Sequence, residues 1–420
     1  MKITDIKPEI FDLSAEAEER IEDQMKDIEE IARENTFRVM KAFQNNRVSE
    51  ACFAGTTGYG YDDLGRDTLD RIYAEVFGTE AALVRIGFVN GTHAITAALF
   101  SLCQPGEKIL SVSGEPYDTL RRAIGIDGND FGSLKFYGIG YEQVNLNEEG
   151  DPDLPAIRLA LSDPTVKAVI LQRSCGYGER RTLCIEDIRQ ICKTVRNVRT
   201  DVNIFVDNCY GEFTETMEPT HVGADLIAGS LIKNPGGGIA PSGGYIVGRK
   251  ELVDRAAFRL TSPGIGGEVG ATLGNSRLMF QGFFMAPHIV AEALKTAVFA
   301  ASMMELMGME TAPASTQSRS DIIQRISLKN GDNMKRFCLG IQAGAPVDSY
   351  VTPEPWAMPG YDFDVIMADG SFIQGSSIEL SADGPYKTPF TVFLQGGLTY
   401  ESGRLGIMMA ASSMLTDSIL

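Results

Sequence analysis

Four short segments carry residues whose types and spacing can do chemistry together. Lys233 ends the largely apolar run DLIAGSLIK and is followed by Asn-Pro and by Gly236, Gly237 and Gly238. Such a run leads the lysine inward, where desolvation lowers its pKa and makes the amine a nucleophile. The triple glycine lets backbone pass close to something bulky. Asp207 ends the apolar run Ile204-Phe205-Val206, and a carboxylate at the carboxyl end of a central strand can hold a cofactor cation in place. Asn90-Gly91-Thr92-His93 opens the helical stretch AITAALFSL, and the N–H groups of a helix start form a phosphate site. Gly114-Glu115-Pro116-Tyr117 follows a further strand-like run, which places Tyr117 to stack on a flat ring. Taken singly, these read as a surface lysine, a loop carboxylate, a turn with its cap, and a core aromatic. Taken in order they describe pyridoxal 5'-phosphate, which needs a phosphate cradle, a carboxylate on its pyridine nitrogen and a lysine for the Schiff base.

The elements that must position these groups alternate. Apolar runs lie at 82–86, 108–112, 167–171, 203–206, 225–229 and 244–248, with helical stretches such as 91–103, 116–125 and 185–197 between several of them. Buried strands alternating with helices mean an α/β domain with a mostly parallel sheet. Upstream, Ile21, Met25, Ile28, Ala32, Val39, Met40 and Phe43 recur at helical spacing, which predicts one acidic amphipathic helix over 15–45. The Gly- and Tyr-rich segment 50–68 reads as a loop entering a helix. Beyond 250 the pattern predicts helices at 250–260, about 268–305 and 318–338, then Pro-rich loops over 352–360 and strand-like runs at 363–367, 390–394 and 405–409. The expected organisation is an N-terminal arm (1–50), a large α/β domain (51–260) and a smaller α+β domain (261–420).

Composition narrows the function further. With 38 basic and 56 acidic residues the net charge is −18, which argues against nucleic acid or an anionic membrane as partner. The seven cysteines are scattered without a C-x-x-C pair, so neither a disulfide scaffold nor a zinc ribbon is expected. His93, His221 and His288 lack companions at metal-ligand spacing, so no metal site is expected. KNPGGG has its lysine on the wrong side of the glycines for a phosphate-binding nucleotide loop, and GYGYDDLG misplaces the third glycine of a dinucleotide fingerprint. Without an apolar leader or a long uncharged apolar window, the expected compartment is the cytoplasm.

The stretches GYGYDDLGRDTLDRIYAEVFG, GFVNGTHAITAALFSLCQPGEKILSVSGEPYDTL, ILQRSCGYGERRTL, IFVDNCYGEFTETMEPTHVGADLIAGSLIKNPGGGIAPSGGYIVG and GRLGIM span about residues 50 to 410. In them the sequence resembles the methionine gamma-lyase-like, or aluminium resistance, family within the fold-type I pyridoxal-phosphate enzymes of cysteine and methionine metabolism. The resemblance implies a large domain with a seven-stranded, mostly parallel sheet and a smaller C-terminal domain. It implies that Lys233 carries the cofactor and shuttles protons, that Asp207 bonds the pyridinium, and that Tyr117 stacks on the ring and assists as an acid. Gly91 and Thr92 would bind the phosphate through backbone N–H groups and Ser230 through its hydroxyl. Tyr61 would reach the phosphate of a neighbouring subunit, and Arg404 would take the substrate carboxylate. Two positions depart from better-known lyases. Asp63 stands where they carry an arginine, with Arg66 as a substitute to consider, and His93 replaces a small residue, either touching the cofactor or satisfied on the helix face. Arg173 and Tyr177 are candidates to line the site. The implied activity is carbon–sulfur lysis of a sulfur amino acid by a homodimer or homotetramer with sites at the subunit interface. The alternatives are aldol cleavage or transamination on the same cofactor, or a non-catalytic protein of metal tolerance.

Overall fold

The computed structural model describes residues 2–128, 130–358 and 363–415. Helices α1 (Pro8–Arg20) and α2 (Glu22–Asn45) open the chain, followed by α3 (Leu64–Val76), β1 (Ala81–Arg85), α4 (Gly91–Leu102) and β2 (Lys108–Ser111). Next come α5 (Asp118–Ile124), β3 (Gly140–Gln143), α6 (Leu154–Ala160), β4 (Val166–Gln172), α7 (Ile185–Val198), β5 (Asn203–Asp207), β6 (Leu226–Ser230) and β7 (Gly244–Gly248). Helices α8 (Lys250–Leu260) and α9 (Ser276–Leu306) lead to β8 (Glu310–Ala312), β9 (Ile323–Ser327), α10 (Gly331–Gly344), β10 (Trp356–Ala357), β11 (Asp364–Asp369), β12 (Ser381–Pro385), β13 (Thr391–Gln395) and α11 (Tyr400–Met414).

The described residues divide into two compact units, one within 35–284 and the other within 2–34 and 285–415. Both divisions fall inside helices, α2 and α9, rather than at 50 and 260 where the sequence pattern changes. The first unit is built on a seven-stranded sheet in the order β1-β7-β6-β5-β4-β2-β3. Strands β6, β5, β4, β2 and β3 run parallel, and β7 is antiparallel to both β1 and β6. Leu83, Ile109, Ala168, Phe205, Ala228 and Ile246 pack on Ala94, Ala98 and Leu99 of α4 to form its core. Strands buried on both faces explain the unbroken apolar runs. The edge strand β3, with the half-polar sequence GYEQ, had no such signal.

The second unit carries a six-stranded antiparallel sheet, β10-β11-β12-β13-β9-β8. Here the structure corrects three expectations. The single helix over 15–45 is two helices, broken at the buried Ile21. The stretch 318–338 is not one helix but β9 and the start of α10. Ile322, Ile323 and Ile326 fit helical spacing, yet β9 is an interior strand between β13 and β8, and Asn330 caps α10 by accepting a bond from Asn333 N at 2.8 Å. The run 405–409 lies inside α11. Gly406 through Ala411 are all buried, and a helix buried on all sides shows no amphipathic period. Among the described residues no helix is long and apolar enough to cross a membrane.

Candidate active site

The carboxyl ends of β5 and β6 and the start of α4 meet at one place. A methyl group added to Gly91 would stand 3.1 Å from Ser230 Cβ and 3.6 Å from Cys209 Sγ. Asn90 caps α4 by accepting the His93 N–H at 2.9 Å. The N–H groups of Gly91 and Thr92 remain outside the helical ladder, available to an anion. Ser230, 1% exposed at the end of β6, accepts the Ile232 N–H at 3.3 Å. Thr92 Oγ1 lies 3.1 Å from the Tyr117 hydroxyl. Tyr117 is held in turn by its own N–H donating to Gln172 Oε1 at 3.0 Å. Burial, then the charge of Asp207, pushes the Tyr117 phenol well above its ordinary range, so it stays protonated.

Asp207 is 5% exposed and accepts the Cys209 N–H on Oδ1 at 3.1 Å. Burial raises its carboxyl, against the opposing charge of Lys233 and of Arg180. The Lys233 ammonium lies 3.8 Å from the centre of the Tyr210 ring, close enough for a cation–π contact. Tyr210 (φ 71°) and Phe213 (φ 63°) both adopt left-handed backbone, a conformation that costs a non-glycine residue of order 1 kcal/mol. The loop after β5 accepts that strain while turning Tyr210 toward Lys233. Burial opposes the charge on Lys233, but Cys209, Tyr210 and Asp207 outweigh it and hold the amine above its ordinary value. The Cys209 thiol is itself pushed well up by burial and carries no charge near neutral pH. Asp207 is the carboxylate among the groups that favour the ammonium form of Lys233. This reverses the expectation that desolvation would lower the lysine pKa.

The glycines after Lys233 also act differently from the expectation. A side chain on Gly236 would fall 1.6 Å from the Leu231 carbonyl, and one on Gly282 would fall 2.3 Å from the Gly236 carbonyl. The close neighbour of Gly236 is the chain's own backbone.

The remaining candidates separate. His93 Nδ1 accepts the Val89 N–H at 3.2 Å, its ring is edge-on to Phe88, and burial lowers its pKa. Tyr61 is exposed and stacked on Tyr59 with ring centres 5.5 Å apart. Asp63 caps α3, accepting Arg66 N at 2.9 Å and the Thr56 and Thr272 hydroxyls. Arg66, 3% exposed, donates to the carbonyls of Gly60 (2.5 Å) and Gly270 (3.3 Å) and pairs with Asp67 at 2.9 Å. Arg173 is enclosed by the chain. It is 0% exposed, with Asn208 Oδ1 at 2.9 Å, the Gly211 carbonyl at 2.8 Å and Glu215 at 2.8 Å. It ties the loop after β5 together. Arg404, in the other unit, grips Glu18 with both oxygens, at 2.9 and 3.1 Å. Tyr177 is half-buried in the loop after β4.

Sequence reading missed Tyr210, which faces Lys233, and Arg180, whose charge favours ionised Asp207. It also missed Glu212, 0% exposed and bonded by the Tyr245 hydroxyl at 2.7 Å. Nothing in RSCGYGERR distinguishes the buried Arg173 from Arg180. A cavity of about 420 Å³ opens beside Arg66, Arg85, Thr272 and Ser276; neither Lys233 nor Asp207 lines it. Among the described residues no cluster of three or more His, Cys, Asp or Glu side chains could hold a metal ion.

The donor set fits one cofactor. Two helix-start N–H groups with two hydroxyls suit a phosphate, a buried carboxylate suits a pyridinium, and a lysine faces an aromatic ring beside them. The chain matches the family model for methionine gamma-lyase over residues 10–415. It is 48% identical over 396 residues to uncharacterized protein YnbB of Bacillus subtilis, covering 94% of each chain. It superposes with a TM-score of 0.95 on the crystal structure of a carbon-sulfur lyase involved in aluminum resistance from Clostridium novyi NT. That protein is 52% identical, with 98% of this chain and 97% of the other covered. The pyridoxal-5'-phosphate-dependent protein YhfS of Escherichia coli shares the fold at 17% identity, with a TM-score of 0.62 and coverage of 91% and 96%. Family and fold together indicate pyridoxal 5'-phosphate as the cofactor.

Proposed function

This chain belongs to the methionine gamma-lyase family, and from that premise we propose that it is a pyridoxal-phosphate-dependent carbon–sulfur lyase acting on a sulfur amino acid. The observation that carries the reading is the placement of Lys233 with Asp207 and Tyr117 beyond the carboxyl ends of β5 and β6, next to the free start of α4. The 52% identical carbon-sulfur lyase of Clostridium novyi supports the reaction class.

Gly91, Thr92 and Ser230 would hold the cofactor phosphate and Asp207 its ring nitrogen. When bound, the cofactor supplies an electron sink for the substrate's α-carbon. The residues of the chain do the rest. Lys233 Nζ must lose its proton to act as nucleophile and then as base at the α-carbon. Asp207 favours its ammonium, so any cation that engages Asp207 frees the amine. Tyr117 keeps its phenolic proton, and its hydroxyl lies 3.1 Å from Thr92 Oγ1, which holds the phenol in place. It can therefore lend the proton to a departing sulfur but cannot serve as a base near neutral pH. Removing the α-proton while protonating sulfur expels a thiol from the β carbon, or from the γ carbon when a β-proton is removed as well; uptake of one water then gives ammonia and a keto acid.

The test begins with a near-visible spectrum of the purified protein before and after borohydride. The expected result is a yellow band that vanishes on reduction and is absent from Lys233→Ala. The reduced and unreduced proteins are then assayed on methionine, cystathionine and cysteine for thiol and keto acid. A colourless protein that takes up no added cofactor, or one releasing glycine and an aldehyde from hydroxyamino acids instead, refutes the proposal.

A further inference from the structure

We propose that Gln172 is a positioning residue of this site, and that its side-chain amide sets where Tyr117 stands relative to Asp207. The two residues that would meet the cofactor ring come from strands that do not pair. Asp207 ends β5, and Tyr117 follows β2 just before α5, with β4 lying between β5 and β2 in the sheet. Gln172 is the last residue of β4 and stands in register with Asp207.

Both ends of the Gln172 amide are engaged. Its Oε1 accepts the Tyr117 N–H at 3.0 Å, and its Nε2 donates to the Ser174 carbonyl at 3.0 Å. The amide is thereby fixed one way round. Turning it over would set its NH2 group against the Tyr117 N–H and its oxygen against the Ser174 carbonyl. The Gln172 backbone N–H donates to Ser113 Oγ at 2.9 Å, a second tie to the segment that carries Tyr117. Arg180 closes the turn behind it. Its Nη2 donates to the carbonyls of Gln172 at 2.7 Å and Ser174 at 2.5 Å, and its Nη1 to that of Arg181 at 2.9 Å. On the other side, the Arg173 N–H continues the ladder to the Asp207 carbonyl at 3.1 Å. One turn is therefore tied to Asp207 and to Tyr117 at once. Thr92 stands by the phenol end of Tyr117 and Gln172 holds its backbone end. A group that must face a ring at one spacing needs support of this kind.

The inference rests on the cofactor-binding part of the proposed function and not on the reaction, because neither readout uses turnover. The experiment measures the cofactor dissociation constant by equilibrium dialysis and the visible circular dichroism of the bound cofactor. It uses the wild-type holoenzyme, Gln172→Leu, Tyr117→Ala and the double variant. The dichroism reports how asymmetrically the ring is held, which a loss of fold stability alone does not move. Gln172→Leu fills similar space without the amide, and should weaken cofactor binding about tenfold and diminish the dichroism. Because Gln172 acts through Tyr117, its replacement should change affinity by less than about twofold in the Tyr117→Ala background. If Gln172→Leu does not fold, Gln172→Asn, one methylene shorter, decides by the same comparisons. Wild-type affinity and dichroism in the Gln172 variant, or a fully additive loss in the double variant, overturns the proposal. Unchanged signals in Tyr117→Ala overturn the placing of Tyr117 at the ring and this inference with it. Coupled losses in a protein that does not cleave carbon–sulfur bonds support the inference and refute the reaction alone.

Discussion

Replacing Glu212 by Gln is expected to change the pH dependence of stability and not only its size. Glu212 is 0% exposed, its Oε1 accepts the Tyr245 hydroxyl at 2.7 Å and its Oε2 has no partner. Burial pushes its carboxyl from 4.5 up to about 8, with the Tyr245 bond opposing and the Glu218 charge adding. The folded protein therefore keeps a proton that the unfolded chain releases above pH 4.5. Stability falls as pH rises through that window and levels off beyond about 8. At about 1.4 kcal/mol per unit, the loss is about 3 kcal/mol by pH 7 and about 5 kcal/mol by pH 8. Glutamine retains an acceptor for Tyr245 and has no proton to lose. Urea unfolding of the wild type and Glu212→Gln at pH 5, 6, 7 and 8 measures this. The two should agree within about 1 kcal/mol at pH 5 and diverge steadily, with the variant more stable at pH 8. Parallel pH curves for the two proteins would refute the claim that Glu212 is buried as a neutral acid.

Arg173→Met should destabilise the protein by about 3–5 kcal/mol, because it takes from Glu218 (0% exposed) the larger of its two compensating charges, leaving that of Arg38; chemical denaturation reads this, and a loss under about 1 kcal/mol would refute a structural role for the Arg173–Glu218 pair. His221 accepts the Glu218 N–H at 3.0 Å, and burial lowers its pKa from 6.5 to about 4. The unfolded chain takes up a proton before the folded one, so stability is lost as pH falls from 6.5 toward 4. His221→Asn should blunt that acid limb in a thermal-melt series against pH. Asp207→Asn should retain cofactor absorbance but lower kcat by roughly 10²-fold or more; unchanged turnover would remove Asp207 from the site. Asp63→Ala should cost about 1–2 kcal/mol through loss of the α3 cap without the larger effect on activity expected of a phosphate ligand.

Much of this protein is determined locally, and the sequence by itself determined that part. The strands at 108–111, 166–172, 203–207, 226–230 and 244–248 are legible because a sheet buried on both faces needs unbroken apolar runs. Since ligands in such sheets bind beyond the strand ends, Asp207, Ser230 and the Gly91 helix start could be read as neighbours before any coordinates. Tertiary structure alone decided what each charged side chain faces. Arg66, Arg173 and Arg180 are the same residue type in similar glycine-rich surroundings. One clamps a loop through Gly60, one is sealed under the turn after β5, and one adds its charge at Asp207. The protonation of Lys233 was hidden for the same reason, because its net direction depends on groups at the end of β5, in the loop after it and just before α5 that oppose the effect of burial. Backbone pattern follows from neighbours in sequence. Charge, burial and hydrogen-bond partnership follow from neighbours in space, and a chain read in order does not contain those.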